Sequence, residues 1–125
     1  MDITPLVSKG GQLIQSYGGG AFSIAGERYT GSVLVFPDRT EPWPVTAFTD
    51  VTAETLAAAV AAAAEFEFLI IGAGKDSAHA DPMLRAYLRD AGISLEVMDT
   101  GAACRTFNVL LAEDRQIAAA LIAIE

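Results

Sequence analysis

The sequence predicts an α/β fold in which an antiparallel β section leads into a mainly parallel sheet flanked by helices, and three observations carry that reading. The first half of the chain consists of short β-prone runs separated by glycine turns. The second half alternates helical and strand periodicity. Between them, Pro37, Pro42 and Pro44 interrupt regular structure around Trp43.

Residues 12–16, 22–24 and 29–36 read as strands, the last holding the continuous apolar run Val33-Leu34-Val35-Phe36. Gly18-Gly19-Gly20 separates the first two, and Ala25-Gly26-Glu27 reads as a hairpin turn before the third. Prolines cannot donate to a ladder, so residues 37–48 are expected to form a rigid loop. Its Trp43 is either a core plug, as large aromatics mostly are, or part of a partner contact. Thr52 is expected to cap a helix over residues 53–64, built from strong helix formers with Leu56 and Val60 four apart. Residues 68–71 form an apolar strand ending at Gly72.

Asp81-Pro82 is a cap and first-turn pair, opening a helix with Leu84 and Leu88 on one face and Gly92 as its stop. Residues 94–98 read as a strand and Thr100 as the cap of a helix over residues 102–111. Residues 118–124 are either a closing strand or a continuation of that helix. Such short alternation places parallel strands side by side with helices packed on the sheet. The expected organisation is one domain, residues 1–125, with a β meander at about 11–36, a loop at 37–48 and an α/β section at 52–125.

A chain of 125 residues, 52% apolar and 19% charged, can bury a core without staples and lies far from the disordered regime. Sixteen acidic residues against eight basic ones give a net charge of -8, which repels phosphate backbones and anionic membranes, so nucleic acid is not an expected partner. A single cysteine, Cys104, rules out an intramolecular disulfide and suits a reducing compartment. Residues 1–7 lack the basic start and apolar stretch of a secretory leader, and the longest apolar run, residues 56–64, falls far short of the roughly 20 residues a membrane span needs. A cytoplasmic location without a transmembrane segment is the expectation. The near side-chain-free stretch 57–64 permits close helix approach to the sheet or to a second copy, which makes a homodimer a candidate.

Chemistry-bearing residues concentrate in two turns. Gly72-Ala73-Gly74-Lys75-Asp76-Ser77 follows a strand, where a dinucleotide fingerprint would sit, but Ser77 stands at its third glycine and the next helix starts only at Asp81. A tight turn is the plainer reading. Asp99-Thr100-Gly101 spells the aspartic-protease triplet yet runs straight into a helical sequence, unlike those β-rich enzymes. Cys104 falls in the first turn of its helix, where the dipole and Arg105 would favour a thiolate, with His79 the one imidazole available, but a lone cysteine beside alanines is most often a small buried apolar residue. Asp99 and Arg105 could form a buried ion pair locking strand to helix, or frame a small polar ligand. One histidine, one cysteine and no clustered carboxylates leave too few ligands for a metal site, and no cofactor is expected.

Four phrases occur in order: Tyr29-Thr-Gly-Ser-Val-Leu-Val-Phe-Pro37 with Pro42-Trp43-Pro44, Leu69-Ile-Ile-Gly-Ala-Gly74, Glu96-Val-Met-Asp-Thr100, and Ala102-Ala-Cys-Arg-Thr-Phe-Asn-Val-Leu-Leu-Ala112. Together they resemble a bacterial and archaeal domain of unknown function whose mitochondrial relatives include an assembly factor of respiratory complex I and an adipogenesis-associated protein. The resemblance implies a three-layer α/β fold with a central mixed sheet. It makes residues 118–124 a strand, running antiparallel to its neighbours. Relatives commonly carry Thr, Tyr and Gly where this chain has Ala73, Phe107 and Asp114, so a ligand using that hydroxyl or phenol is in doubt here.

The resemblance carries no catalytic residue. It implies a common surface lined by Gly72, Gly74, Asp99, Thr100, Cys104 and Arg105. Two functions follow as expectations: a non-catalytic domain that binds another protein, as an assembly factor does, or an enzyme or sensor for a small anion, with Arg105 as clamp and the Gly72 and Gly74 turn as backbone donors.

Overall fold

Alternating side chains along the central strands serve two separate cores, one on each face of a sheet. The computed structural model describes residues 11–125, and the stretch read above for a secretory leader, residues 1–7, lies outside them. The strands β1 (Ile14–Gly18), β2 (Ala21–Ile24) and β3 (Glu27–Thr30) form a small antiparallel sheet. Next come β4 (Val33–Val35), β5 (Thr40–Pro42), helix α1 (Ala57–Ala61), β6 (Phe68–Gly72), helix α2 (Pro82–Asp90), β7 (Ser94–Met98), helix α3 (Thr100–Ala112) and β8 (Ile117–Leu121). The second sheet has the order β5-β4-β8-β6-β7. β6 runs parallel to both β7 and β8, while β4 is antiparallel to β8 and β5.

β8 reads Ile-Ala-Ala-Ala-Leu and is buried along its whole length, as a strand covered on both faces must be. Ala118 and Ala120 join Leu34, Leu69 and Ile71 in a core closed by Leu56, Leu84 and Leu88. Ile117, Ala119 and Leu121 join Val33, Val35 and Ile70 in a second core, closed by Ala103, Cys104 and Phe107 of α3 and by Ile14, Phe22 and Ile24 of the small sheet. Three layers result. Each large side chain fully buried here contributes about 1.5–3 kcal/mol.

Several sequence expectations change on contact with these layers. The run 29–36 is two strands in different sheets, because Gly31, at φ +89°, turns the chain from one sheet to the other. The proline-rich stretch does not exclude ladder pairing: β5 lies on the sheet edge, with Pro42 opposite Val33, where a missing N–H costs little. Trp43 is 3% exposed, its indole N–H donating to the Thr55 carbonyl at 2.7 Å.

The helix expected over 53–64 shrinks to α1 and a 3₁₀ turn at Ala63–Glu65. Thr52 and Thr55 exchange backbone-to-side-chain hydrogen bonds at 2.8 and 3.2 Å, and this local competition holds the preceding residues in a turn. The cap of α3 is Asp99, not Thr100, with its carboxylate accepting from the Ala102 N–H at 2.9 Å. Finally, β8 is antiparallel to β4 alone. Its α3 crossover from β7 returns it parallel to β6.

Both long helices end the same way. After α2, Gly92 at φ +81° directs its N–H to Arg89 O and the Ile93 N–H to Leu88 O. After α3, Asp114 at φ +60° directs its N–H to Leu111 O and the Arg115 N–H to Leu110 O. These are paired 5→2 and 6→1 closures, which need a left-handed residue and favour glycine. Gly92→Ala should therefore lower unfolding stability by about 1 kcal/mol, and Asp114→Gly should raise it by about 0.5–1 kcal/mol. Urea titrations of the two variants check both signs.

Candidate functional site

Parallel strands deliver their carboxyl-end turns to one edge of a sheet. Gly72, at the end of β6, lies opposite Met98 on β7 and Leu121 on β8. The Ala73 N–H then donates to Met98 O at 2.7 Å, and the Thr100 N–H to Gly74 O at 2.8 Å. Thr100 completes the junction from inside: its hydroxyl accepts from the Gly74 N–H at 3.0 Å and donates to Ile122 O at 2.7 Å. Gly72, Gly74 and Thr100 are thus brought together, as the alternation of elements implied.

That corner is filled rather than open. A Cβ on Gly72 would lie 3.0 Å from Thr100 Cα and from Leu121 Cδ2, so only glycine lets the strand pass this closely. The Asp99 carboxylate faces the first turn of α3 as its cap and makes no ion pair with Arg105 among the described residues. Arg105 instead donates to the Tyr17 hydroxyl at 3.0 Å. Beneath it, a Cβ on Gly101 would sit 2.7 Å from that same hydroxyl, which fixes how closely α3 approaches β1. One turn along, the Asn108 side chain accepts from the Ile14 N–H at 3.0 Å and donates to Ile14 O at 2.8 Å, completing for β1 a pairing a strand would otherwise supply.

Cys104 is wholly buried in the α3 core. Burial pushes its thiol from 9.0 up to about 12; the Arg105 guanidinium pulls the other way, and Asp99 adds to the rise. Desolvation outweighs the favourable charge at the helix start, so Cys104 is a neutral, buried thiol near neutral pH, the plainer of the two sequence readings. His79 is exposed, on the segment between β6 and α2. Trp43 lies in the other core, among Leu34, Leu56 and Ala59. Among the described residues no three histidine, cysteine or carboxylate side chains cluster as metal ligands. No helix among them is long and apolar enough to cross a membrane.

Open space lies beside the filled corner. A groove of about 740 Å³ runs between the turn 73–78, the segment 122–125 and the loop at Thr46, Ala47 and Phe48. Its apolar surface comes from Ala47, Phe48, Ala73, Ile122 and Ile124, and its charged groups are Lys75, Asp76 and Glu125. Of the residues singled out from the sequence, Gly74 borders it; Asp99, Thr100, Cys104 and Arg105 do not. Sequence reasoning missed the 122–125 wall, because Ile122-Ala123-Ile124 continues the apolar strand before it without a motif of its own. It also missed Tyr17 and Asn108, whose partners lie 88 and 94 residues away.

The pattern of a family described as "Protein of unknown function (DUF498/DUF598)" matches residues 14–122. Over 109 residues the chain is 39% identical to an uncharacterized protein of Rhodobacter capsulatus, covering 87% of this chain and 82% of that one. It is 35% identical to NADH dehydrogenase [ubiquinone] 1 alpha subcomplex assembly factor 3 of Xenopus tropicalis, covering 87% of this chain and 60% of the relative. The chain thus spans well under two-thirds of that relative's length. The crystal structure described as an outer membrane protein of Bartonella henselae superposes with a TM-score of 0.86 at 38% identity, covering 93% of this chain and 98% of that one.

Two outcomes follow from the geometry. Thr100→Val keeps the shape but strands the Gly74 N–H and Ile122 O in the interior, and should cost about 2–4 kcal/mol in denaturant unfolding. For Cys104, the raised pKa means its contribution to stability is complete below pH 9 and is lost as pH climbs toward about 12. Between pH 9 and 11 the thermal midpoint should therefore fall more steeply for the wild-type chain than for Cys104→Ala, as scanning calorimetry would read.

Proposed function

The chain belongs to the DUF498/DUF598 family of proteins of unknown function, and from that premise we propose that it is a non-catalytic, protein-binding domain of the assembly-factor type, working in the cytoplasm. One observation carries the reading: the side chains with chemical potential are occupied in holding the fold. Thr100 bridges three segments, Asp99 caps α3, and Cys104 is a buried neutral thiol. A surface that recognises another protein needs none of these groups free. Relatives that carry the name of a complex I assembly factor support the same direction, and so does a net charge of -8, which disfavours nucleic acid and favours basic protein surfaces.

The second reading places a small anion at the rim formed by Gly72, Gly74, Asp99 and Arg105. Its support is Arg105, an exposed residue on the helix that leaves the rim. It has less, because the Gly72 corner is packed by Thr100 and Leu121 and because Arg105 points its donor at Tyr17.

Affinity capture with the tagged chain from its native cells, followed by gel filtration, tests the first reading. A stoichiometric protein partner that co-elutes is the expected result, and a chain that always elutes alone counts against it. A thermal-shift panel of nucleotides and organic acids tests the second, since a ligand at 100 times its dissociation constant adds about 2.7 kcal/mol. The expected result is no shift.

A further inference from the structure

β6 and β8 stay in register as far as Gly72 and Leu121, and the Ile122 N–H closes the ladder on Gly72 O at 3.0 Å. The Thr100 hydroxyl still bridges the Gly74 N–H and Ile122 O, and past that bridge each chain is drawn elsewhere. The Ala123 N–H donates to the Ser32 hydroxyl at 2.9 Å, and Ile124 O accepts from the Gly20 N–H at 2.8 Å. On the other side, residues 73–80 leave toward the start of α2. The groove is the gap between two strands that have parted.

Three properties of that gap describe its occupant. Its lining is mainly apolar, with Ala47 exposed, Phe48 and Ile124 half-buried and Ile122 buried. The N–H groups of Lys75, Asp76, Ser77 and Ile124, all residues that border the groove, donate to no group among the described residues. Parted strands with unpaired donors suit an extended segment, which can complete main-chain hydrogen bonds while seating alternate side chains. The charged lining is Asp76 and Glu125 against Lys75, so its balance is acidic, in agreement with the net charge of -8 of the whole chain. Charge complementarity then selects a basic partner and steers its approach.

We propose that the groove between the turn 73–78 and the segment 122–125 docks an extended segment of a partner protein that alternates basic and apolar side chains. The assignment rests on the protein-binding reading above and adds to it a place and a chemistry. Asp76 and Glu125 receive the basic side chains, and the apolar ones face Phe48 and Ile124.

Fluorescence anisotropy with the full chain and three labelled nine-residue peptides tests it: alternating Lys and Val, alternating Glu and Val, and alternating Lys and Ser. The Lys/Val peptide is expected to bind at least about ten-fold more tightly than either control, with affinity falling as salt rises. Ala47→Trp, which fills the groove from an exposed loop position, and Asp76→Lys should each weaken it about ten-fold while the thermal midpoint stays within a few degrees. Glu113→Lys makes the same charge change at the far end of α3 and should have little effect. Equal losses from Asp76→Lys and Glu113→Lys would mean diffuse attraction and overturn the assignment, as would equal binding of the Glu/Val peptide. Should a captured native partner bind Ala47→Trp and Asp76→Lys unchanged, the groove assignment falls while the protein-binding reading stands.

Discussion

A single hydroxyl joins three parts of the chain. Thr100 accepts from the turn after β6 and donates to the segment after β8, while its own backbone opens α3. All of this happens at a residue with no solvent exposure. In so dry a place each polar group must find a partner, and here each partner is main chain on a different segment. The absence of a side chain at Gly72 is the counterpart, since it permits the approach that Thr100 secures. Separation of β6 from β8, and with it the neighbouring groove, starts where this junction ends.

Local rules made the α/β half of the fold legible. Asp81-Pro82 opening α2 and Gly92 closing it could be read because caps depend on the few residues that form them. The strand β7 was legible in full for a similar reason, since Leu95, Val97 and Met98 fall between a helix stop at Gly92 and the start of the next helix. Asp114 performs the same turn as Gly92, yet an aspartate in a left-handed conformation looks like any other aspartate in a sequence. Gly31 was hidden differently. β-prone residues stand on both sides of Gly31-Ser32 between Tyr29 and Phe36, and only the second sheet explains why the chain must break there.

The rim was partly visible for topological reasons. Parallel strands put Gly72, Gly74 and Thr100 on one edge, and they meet there by hydrogen bonds. Chemistry at those residues was harder to read, because a threonine that lines a cleft and one that braces a core have the same letters around them. Cys104 shows how burial decides: a helix start and a neighbouring guanidinium favour the thiolate, but exclusion of water has the larger effect. Tyr17 and Asn108 join the small sheet to α3 across most of the chain's length. No pattern within a short window reports such a contact.

The alanines of β8 give the central sheet its thinnest member, with methyl groups turned toward both cores. Helices can sit close over such a strand, so the thickness of the molecule at its middle is governed by what those positions lack. Any enlargement there would have to lift a whole layer rather than displace one neighbour. Substitution is therefore better tolerated outward, at the sheet edges and past the ends of β6 and β8, where surfaces can change without moving the layers.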